Sequence, residues 1–265
     1  MSGDAQRSES QIASAVIPPA DLFLLGSGIF SFFDVTLYTQ KILAACKTVY
    51  HLHDLPTLER YLAEITPNPV NLMPVYYVDG RKRDDIYEDI VRHVIDGAEK
   101  EQPVALLMHG HPLVYSTISQ RILEVCGERG LRVDVVPALS SLDRIFVDLG
   151  LDIASRGLQI LHASAVVPER LPLNPHVDCI FFQIASIMNP LATRGRSSLP
   201  EEVTPFKDYL LDFYPPEHVV HVVESAVELG FETRITPSQL GRLEDIAPAM
   251  TYTSSLFVQA LPPPP

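Results

Sequence analysis

The sequence has few cysteines and no long apolar run, and each shortage excludes a class of protein. Its three cysteines, Cys46, Cys126 and Cys179, lie far apart, and no pair has the CxxC spacing. A disulfide framework and a cysteine zinc site are therefore excluded, and we expect small core residues in a reducing compartment. No run of about 18 apolar residues and no signal peptide is recognisable, so a cytoplasmic protein without membrane contact is expected.

Basic residues are also scarce: 20 Lys and Arg stand against 33 Asp and Glu, which gives a formal net charge of −13. Such a chain repels phosphate backbones, and its one basic cluster, residues 81–83, is too small to form a groove, so nucleic acid is not expected as a partner. The histidine pairs 109/111 and 218/221 have no third ligand at a fixed spacing. We therefore expect no metal.

The rest of the chain is organised around residues 104–116, VALLMHGHPLVYS. Residues 104–107 have the length and composition of a buried strand, which ends at His109-Gly110-His111-Pro112 before a helical pattern starts. Strand, sharp loop and helix form a typical ligand-site geometry, because small molecules bind beyond the carboxyl ends of strands in open α/β sheets. The alternative is a strand that simply turns at Gly-x-Pro.

Alternating strand and helix patterns across residues 19–137 predict an α/β half with a doubly wound, largely parallel sheet. Residues 138–260 predict a second α/β half with mixed strand pairing and few helices, which we expect at 205–213 and 224–229. Residues 1–18 are polar and predict a flexible leader. Residues 261–265 read as a proline tail.

The first apolar strand runs into a tight glycine loop, Gly26-Ser27-Gly28. A dinucleotide fingerprint needs a third glycine three residues later, where the chain has Ser31, and no acidic residue follows at the expected strand end. The loop therefore argues only weakly for a nicotinamide-dependent dehydrogenase. It does predict a turn with exposed backbone N–H groups.

This loop, the motif Gly110-His111-Pro112-x-x-Tyr115 and the sequence VPALSS at 136–141 occur in one chain. Together they resemble the tetrapyrrole methylase superfamily of S-adenosylmethionine-dependent methyltransferases. Histidine at 111, where most of that superfamily has aspartate, is typical of the borosin-type peptide backbone α-N-methyltransferases. The resemblance covers nearly the whole chain and implies two α/β halves, a cleft between them for S-adenosyl-L-methionine, and a homodimer.

The resemblance also implies site residues. For the methyl acceptor, the family's paired tyrosines followed by Arg-x-x-x-Tyr correspond to Tyr76, Tyr77, Arg83 and Tyr87. His111 either contacts the cofactor or holds its loop by a side-chain hydrogen bond, and we favour the second role. The residues implied for the cofactor are Gly26, Gly28, Gly110, His111, Pro112, Tyr115, Ser140, Ser141, Phe182 and Gln183.

The acceptor set suits a demanding reaction. An amide nitrogen is a poor nucleophile because its lone pair is delocalised, so it needs proton removal and stabilisation of the charge on oxygen. Arg83 and Tyr87 are four residues apart on a predicted helix, and a neighbouring guanidinium favours a phenolate. We hypothesise that this pair lowers the barrier to imidate formation, with Tyr77 rather than Tyr76 facing the cleft. Otherwise Tyr87 is a core residue of an apolar stripe.

The expected function is S-adenosylmethionine-dependent α-N-methylation of backbone amides in a separate ribosomal precursor peptide. Fused borosin enzymes carry their substrate as a C-terminal extension, whereas this chain ends with four prolines after Leu261. Methylation of a small molecule or tetrapyrrole by the same fold is the alternative. A third possibility is a cofactor- or peptide-binding module without turnover, because Ala138 replaces the glycine of the family's Pro-Gly-x-Ser loop.

Overall fold

The structure, a computed structural model, describes residues 17–154, 156–192 and 195–262. Most of the expected leader, residues 1–16, and residues 263–265 of the expected tail lie outside these ranges. The strands are β1 (Leu22–Gly26), β2 (Thr48–His51), β3 (Pro69–Asn71), β4 (Val104–Met108), β5 (Val133–Val136), β6 (Gln159–His162), β7 (Cys179–Phe182), β8 (Val219–Glu224), β9 (Arg234–Gln239) and β10 (Ser255–Val258). The α-helices are α1 (Leu37–Ala45), α2 (Pro56–Ile65), α3 (Met73–Tyr76), α4 (Arg83–Lys100), α5 (Thr117–Arg129), α6 (Ser141–Leu149), α7 (Ala163–Glu169) and α8 (Pro200–Leu210).

The first sheet has the order β3-β2-β4-β1-β5, and all of its pairings are parallel. Its central strands are continuous apolar runs because both faces are covered. In β1, Leu22 and Leu24 face the core with α4 and α5, whereas Phe23 and Leu25 face the core with α1 and α2. This arrangement confirms the doubly wound first half.

The second sheet has the order β6-β7-β10-β8-β9, in which only β6 and β7 are parallel. One face of it packs on α7, α8 and the 3-10 segment Leu240–Ala249. The other face presents Ile180, Phe182, Val223 and Phe257 to Ile145 of α6. The helix α6 therefore joins the two halves and packs beneath the second sheet.

Two helix expectations in the second half need correction. The expected helix at 224–229 is absent: Glu224 ends β8, and a loop follows. In this loop Ser225 donates to Asp148 (2.6 Å) and the backbone N–H of Ala226 donates to Thr233 (3.1 Å), so side-chain hydrogen bonds replace a helical turn. The helix expected at 205–213 begins earlier, at Pro200, because proline is well placed in a first turn.

Helix α7 was not expected, because it follows β6 without any turn residue that marks its start. Within the described ranges, no helix has the length and apolar character needed to cross a membrane.

The carboxyl ends of β1, β4 and β5 lie side by side and carry the three loops whose motifs were described above. Because β1 and β4 are direct neighbours, their loops are brought together at the middle of the sheet edge.

Candidate active site

The glycine loop after β1 and the histidine loop after β4 are bonded to each other. The backbone N–H of Ser27 donates to the carbonyl of Met108 (2.9 Å), and that of Gly110 donates to the carbonyl of Gly28 (2.8 Å). These bonds continue the parallel pairing of β1 and β4 beyond the sheet as a short antiparallel bridge. The two motifs therefore form one backbone platform.

Glycine is required at position 26 because the two loops of the platform pack closely there. A Cβ atom there would lie 2.2 Å from the carbonyl oxygen of Gly110 and 2.5 Å from the Cβ of Ala138. Ala138 thus packs behind the platform and does not line the crevice above it. Gly28 and Gly110 both have φ of +73°, a conformation that favours glycine.

The platform forms the floor of a crevice of about 820 Å³ between the halves. Seven of the ten expected cofactor residues line it, and the other three, Gly26, Gly28 and Pro112, are buried behind it. His111 also has the expected local role, because its Nδ1 accepts a hydrogen bond from the N–H of Leu113 (3.1 Å). The seven lining residues are Gly110, His111, Tyr115, Ser140, Ser141, Phe182 and Gln183.

Two of these residues have a strained backbone. Tyr115 has φ of 52° and Gln183 has φ of 59°, a region that non-glycine residues seldom occupy. The ring of Tyr115 lies 5.2 Å from that of Phe182, so aromatic packing between the halves holds one wall of the crevice. Strain of this kind persists where the surrounding structure fixes it, and it concentrates at ligand sites.

A second crevice, of about 920 Å³, opens beside the first and contains Tyr77, Arg83 and Tyr87. Tyr76 is not among its lining residues. The Tyr76 hydroxyl is 2.8 Å from Nδ1 of His93, so this side chain packs against α4. The two tyrosines separate because Tyr76 ends the short helix α3, where successive side chains point in different directions.

The two phenols of this crevice are neutral at ordinary pH. Burial raises the pKa of Tyr87, and Arg83, which lowers it, does not offset the burial. Burial likewise raises the pKa of Tyr77 far above its usual value. Arg83 thus acts on Tyr87 in the predicted direction, but burial outweighs it and the phenol stays protonated in the resting protein. Over the described ranges neither hydroxyl has a hydrogen-bond partner, so both are available as donors.

Arg83 is occupied with the second half of the protein. Its guanidinium donates to the hydroxyl of Tyr252 (2.9 Å) and to the carbonyls of Leu191 (3.3 Å) and Ser186 (3.4 Å). It also donates to the carbonyl of Asn189. We call residues 186–192 the strap. Arg83 therefore fixes the strap and Tyr252 over the edge of the second crevice.

Tyr252 and the neighbouring hydroxyl residues that line the first crevice were not predicted from the sequence. Residues 251–255 read Thr-Tyr-Thr-Ser-Ser, and this run of five hydroxyl side chains, which ends at the first residue of β10, was the available signal. Three residues line both crevices: His109, Gln183 and Tyr252. A ligand in one crevice would therefore meet a ligand in the other at these residues.

The fold and the paired crevices define an α/β protein with two adjoining crevices between its halves. The family model of tetrapyrrole (corrin/porphyrin) methylases matches residues 21–231. The chain belongs to this family. Within the described ranges, no group of three or more His, Cys, Asp or Glu residues could hold a metal ion.

Solved structures share the fold. A uroporphyrin-III C-methyltransferase from Thermus thermophilus superposes with a TM-score of 0.64 at 18% identity, covering 90% of this chain and 93% of that one. A structure of this enzyme type from the same organism, complexed with S-adenosyl homocysteine, gives a TM-score of 0.60 at 18% identity, with 90% and 91% of the chains covered. At this identity the likeness concerns the fold.

Curated relatives include proteins of peptide biosynthesis. A methyltransferase/ribosomally synthesized type I borosin cyclic peptide precursor of Gymnopilus junonius is 26% identical over 223 residues, which is 84% of this chain and 50% of that protein. A type II borosin precursor of Phlebiopsis gigantea is 26% identical over 255 residues, covering 94% and 44%. The chain thus spans about half the length of these relatives.

Proposed function

We propose that this protein is an S-adenosylmethionine-dependent methyltransferase that methylates backbone amide nitrogens of a peptide. The observation that carries the proposal is the shared lining of the two crevices by His109, Gln183 and Tyr252. A methyl donor in the first crevice and an acceptor in the second would meet there without intervening protein.

The first crevice suits S-adenosylmethionine. Gly110 and His111 of the platform offer backbone close to the ligand, while Ser140 and Ser141 add hydroxyls at the start of α6. Tyr115 and Phe182 provide an apolar wall. When bound there, this donor supplies an electrophilic methyl group on a sulfonium.

The second crevice suits a neutral acceptor. Much of its lining is apolar and comes from Leu52, Met73, Met108 and Ala192. Its arginine, Arg83, is bonded to the strap and to Tyr252, so it is not arranged to bind the carboxylates of a tetrapyrrole. This lining favours apolar peptide residues over a polyanionic macrocycle, and two borosin relatives at 26% identity support the same choice.

The residues act chiefly by positioning the acceptor and stabilising charge on its oxygen. Fixing two reactants in line can lower a barrier by about 7–11 kcal/mol. The neutral hydroxyls of Tyr77 and Tyr87 are placed to donate to the acceptor carbonyl as its oxygen gains negative charge. A preorganised donor of this kind contributes about 3–4 kcal/mol to transition-state stabilisation. The positive charge of Arg83 further stabilises negative charge on the acceptor oxygen, and its hydrogen bond holds Tyr252 in place.

The test combines calorimetry with mass spectrometry. The protein should bind S-adenosylmethionine and S-adenosylhomocysteine, and with the donor it should add one or more CH₂ mass units to an apolar peptide supplied in trans. Fragmentation should locate each methyl on a backbone nitrogen. Binding without transfer would identify a non-catalytic module, and methylation of a tetrapyrrole but of no peptide would identify the alternative substrate class.

A further inference from the structure

Three histidines follow one another from the meeting point of the crevices and end at His51, which is buried. His109 comes directly after β4 and lines both crevices. Its ring centroid lies 5.9 Å from that of His53, which in turn lies 5.9 Å from that of His51. The carboxylates of Asp54 and Glu59, two exposed residues, raise the pKa of His51 and so act on its ring. We call the three residues the histidine file.

Two buried ring nitrogens of the file have no hydrogen-bond partner within the described ranges. Nε2 of His53 is 3.0 Å from the hydroxyl of Ser27, which donates its own hydrogen to the carbonyl of Gly28 (3.0 Å). Nε2 of His53 is therefore assigned as the protonated nitrogen, and Nδ1 carries a free lone pair. Within the described ranges, Nδ1 of His53 and Nδ1 of His51 are buried without a partner. Buried polar atoms of this kind call for a functional explanation.

The file is uncharged at neutral pH. Burial lowers the pKa of His109, although the carboxylate of Asp34 opposes the effect, and burial lowers the pKa of His53 much further. The pKa of His51 is lowered for the same reason. All three rings can therefore accept a proton. The titratable groups that face His109 are His53, Asp34, His111 on its own loop and, across the acceptor crevice, Tyr77, Arg83, Tyr87 and Tyr252.

We propose that His109 accepts the proton released by the acceptor nitrogen and that His53 and His51 pass it outward toward Asp54 and Glu59. The inference rests on the proposed function. As the new N–C bond forms, the N–H bond breaks and leaves its electron pair on nitrogen, while the C–S pair departs with sulfur. Only a proton remains to be removed, and His109 becomes neutral again when it passes that proton on. A turn of the ring or one water molecule spans the gap between neighbouring rings.

The closing experiment uses His109→Gln and a peptide that the parent protein methylates. Because His109 lines the crevices and belongs to neither hydrophobic core of the first half, the variant should fold as the parent does, and saturating S-adenosylmethionine removes any effect of donor affinity on its rate. Its kcat should fall by about 10²–10⁴-fold, the usual contribution of a general base. The parent's kcat should rise with pH as the histidine loses its proton, and the variant should lack this rise. Added imidazole should restore part of the variant's rate.

His53→Gln tests the outward path and should lower kcat by a smaller factor, because His109 can also release its proton to the crevice. The matched control is His221→Gln in β8. His221 is partly buried, its Nδ1 has no hydrogen-bond partner within the described ranges, and it lines neither crevice. This variant should keep the parent's rate and pH profile. A His109→Gln variant with the parent's rate and pH profile overturns the proton path and leaves the methyltransferase proposal intact. A parent that methylates no peptide overturns both.

Discussion

At the scale of single residues, the proposed mechanism requires the hydroxyl of Tyr87 as a hydrogen-bond donor to the acceptor oxygen. We predict that Tyr87→Phe lowers kcat by about 10²–10³-fold, because a preorganised hydrogen bond to the acceptor oxygen is lost. Affinity for S-adenosylmethionine, measured by calorimetry, should change little, since Tyr87 lines the other crevice.

Tyr76→Phe is the matched control for this prediction. It removes the same atom from a tyrosine whose hydroxyl bonds to His93 outside both crevices, so kcat should stay within a few-fold of the parent. If Tyr76→Phe were the inactive variant and Tyr87→Phe the active one, the assignment of the acceptor site would be wrong.

Gly26 tests the backbone platform at the same scale. We predict that Gly26→Ala destabilises the protein by about 1–3 kcal/mol and weakens donor binding, because the new methyl would overlap the carbonyl of Gly110. Denaturant unfolding and calorimetry measure the two effects. Gly127→Ala in α5 is the control: no atom lies within 4 Å of its added Cβ, so it should stabilise the protein by about 0.5–1 kcal/mol.

At the scale of elements, an ion pair holds the outer strand of the first sheet. Asp21, just before β1, accepts hydrogen bonds from the backbone N–H and the guanidinium of Arg132, just before β5. These bonds lower the pKa of Asp21 below its usual value of 3.8. A lowered folded-state pKa means that the pair stabilises the protein above that value and that the contribution is lost as the pH falls below it.

We therefore predict that Asp21→Asn lowers the free energy of unfolding at pH 7 and flattens its decline below about pH 4. Urea unfolding at a series of pH values measures both effects. Glu64→Gln, which removes an exposed carboxylate from α2, should retain the parent's acid dependence. Equal acid slopes in parent and Asp21→Asn would show that the pair contributes nothing.

The elements also show how far sequence patterns reach. The first half followed its pattern closely, because apolar strands and amphipathic helices there are bounded by glycine and proline. The loop after β8 did not follow its predicted helical pattern. There the hydroxyls of Ser225 and Thr233 donate to the carboxylate of Asp148, which is distant in sequence. A local pattern of Glu, Ala, Val and Leu at 224–229 resembles a helix, and long-range hydrogen bonds decided against it.

At the scale of the whole molecule, hydrogen bonds from Arg83 link the two halves beside the second crevice. We predict that Arg83→Lys lowers kcat by about 10²-fold, because lysine lacks the planar set of donors that holds the strap and Tyr252, and small displacements of catalytic groups are costly. Hydrogen exchange should become faster in residues 186–192. Lys82→Ala, which removes an exposed neighbouring cation, is the control and should leave both quantities unchanged. Unchanged exchange in Arg83→Lys would contradict the linking role.

The sequence by itself determined the fold class, the family and the loops that line the first crevice, because these depend on short motifs and on periodicity within single elements. Only the tertiary structure decided which tyrosine of the pair enters the crevice, that Arg83 bonds to Tyr252 across 169 residues, and that His109 stands where both crevices meet. Such contacts arise from how two sheets pack against each other. No local pattern encodes that packing. The two residues of such a contact are far apart in sequence, and the residues next to each of them along the chain do not reveal the other.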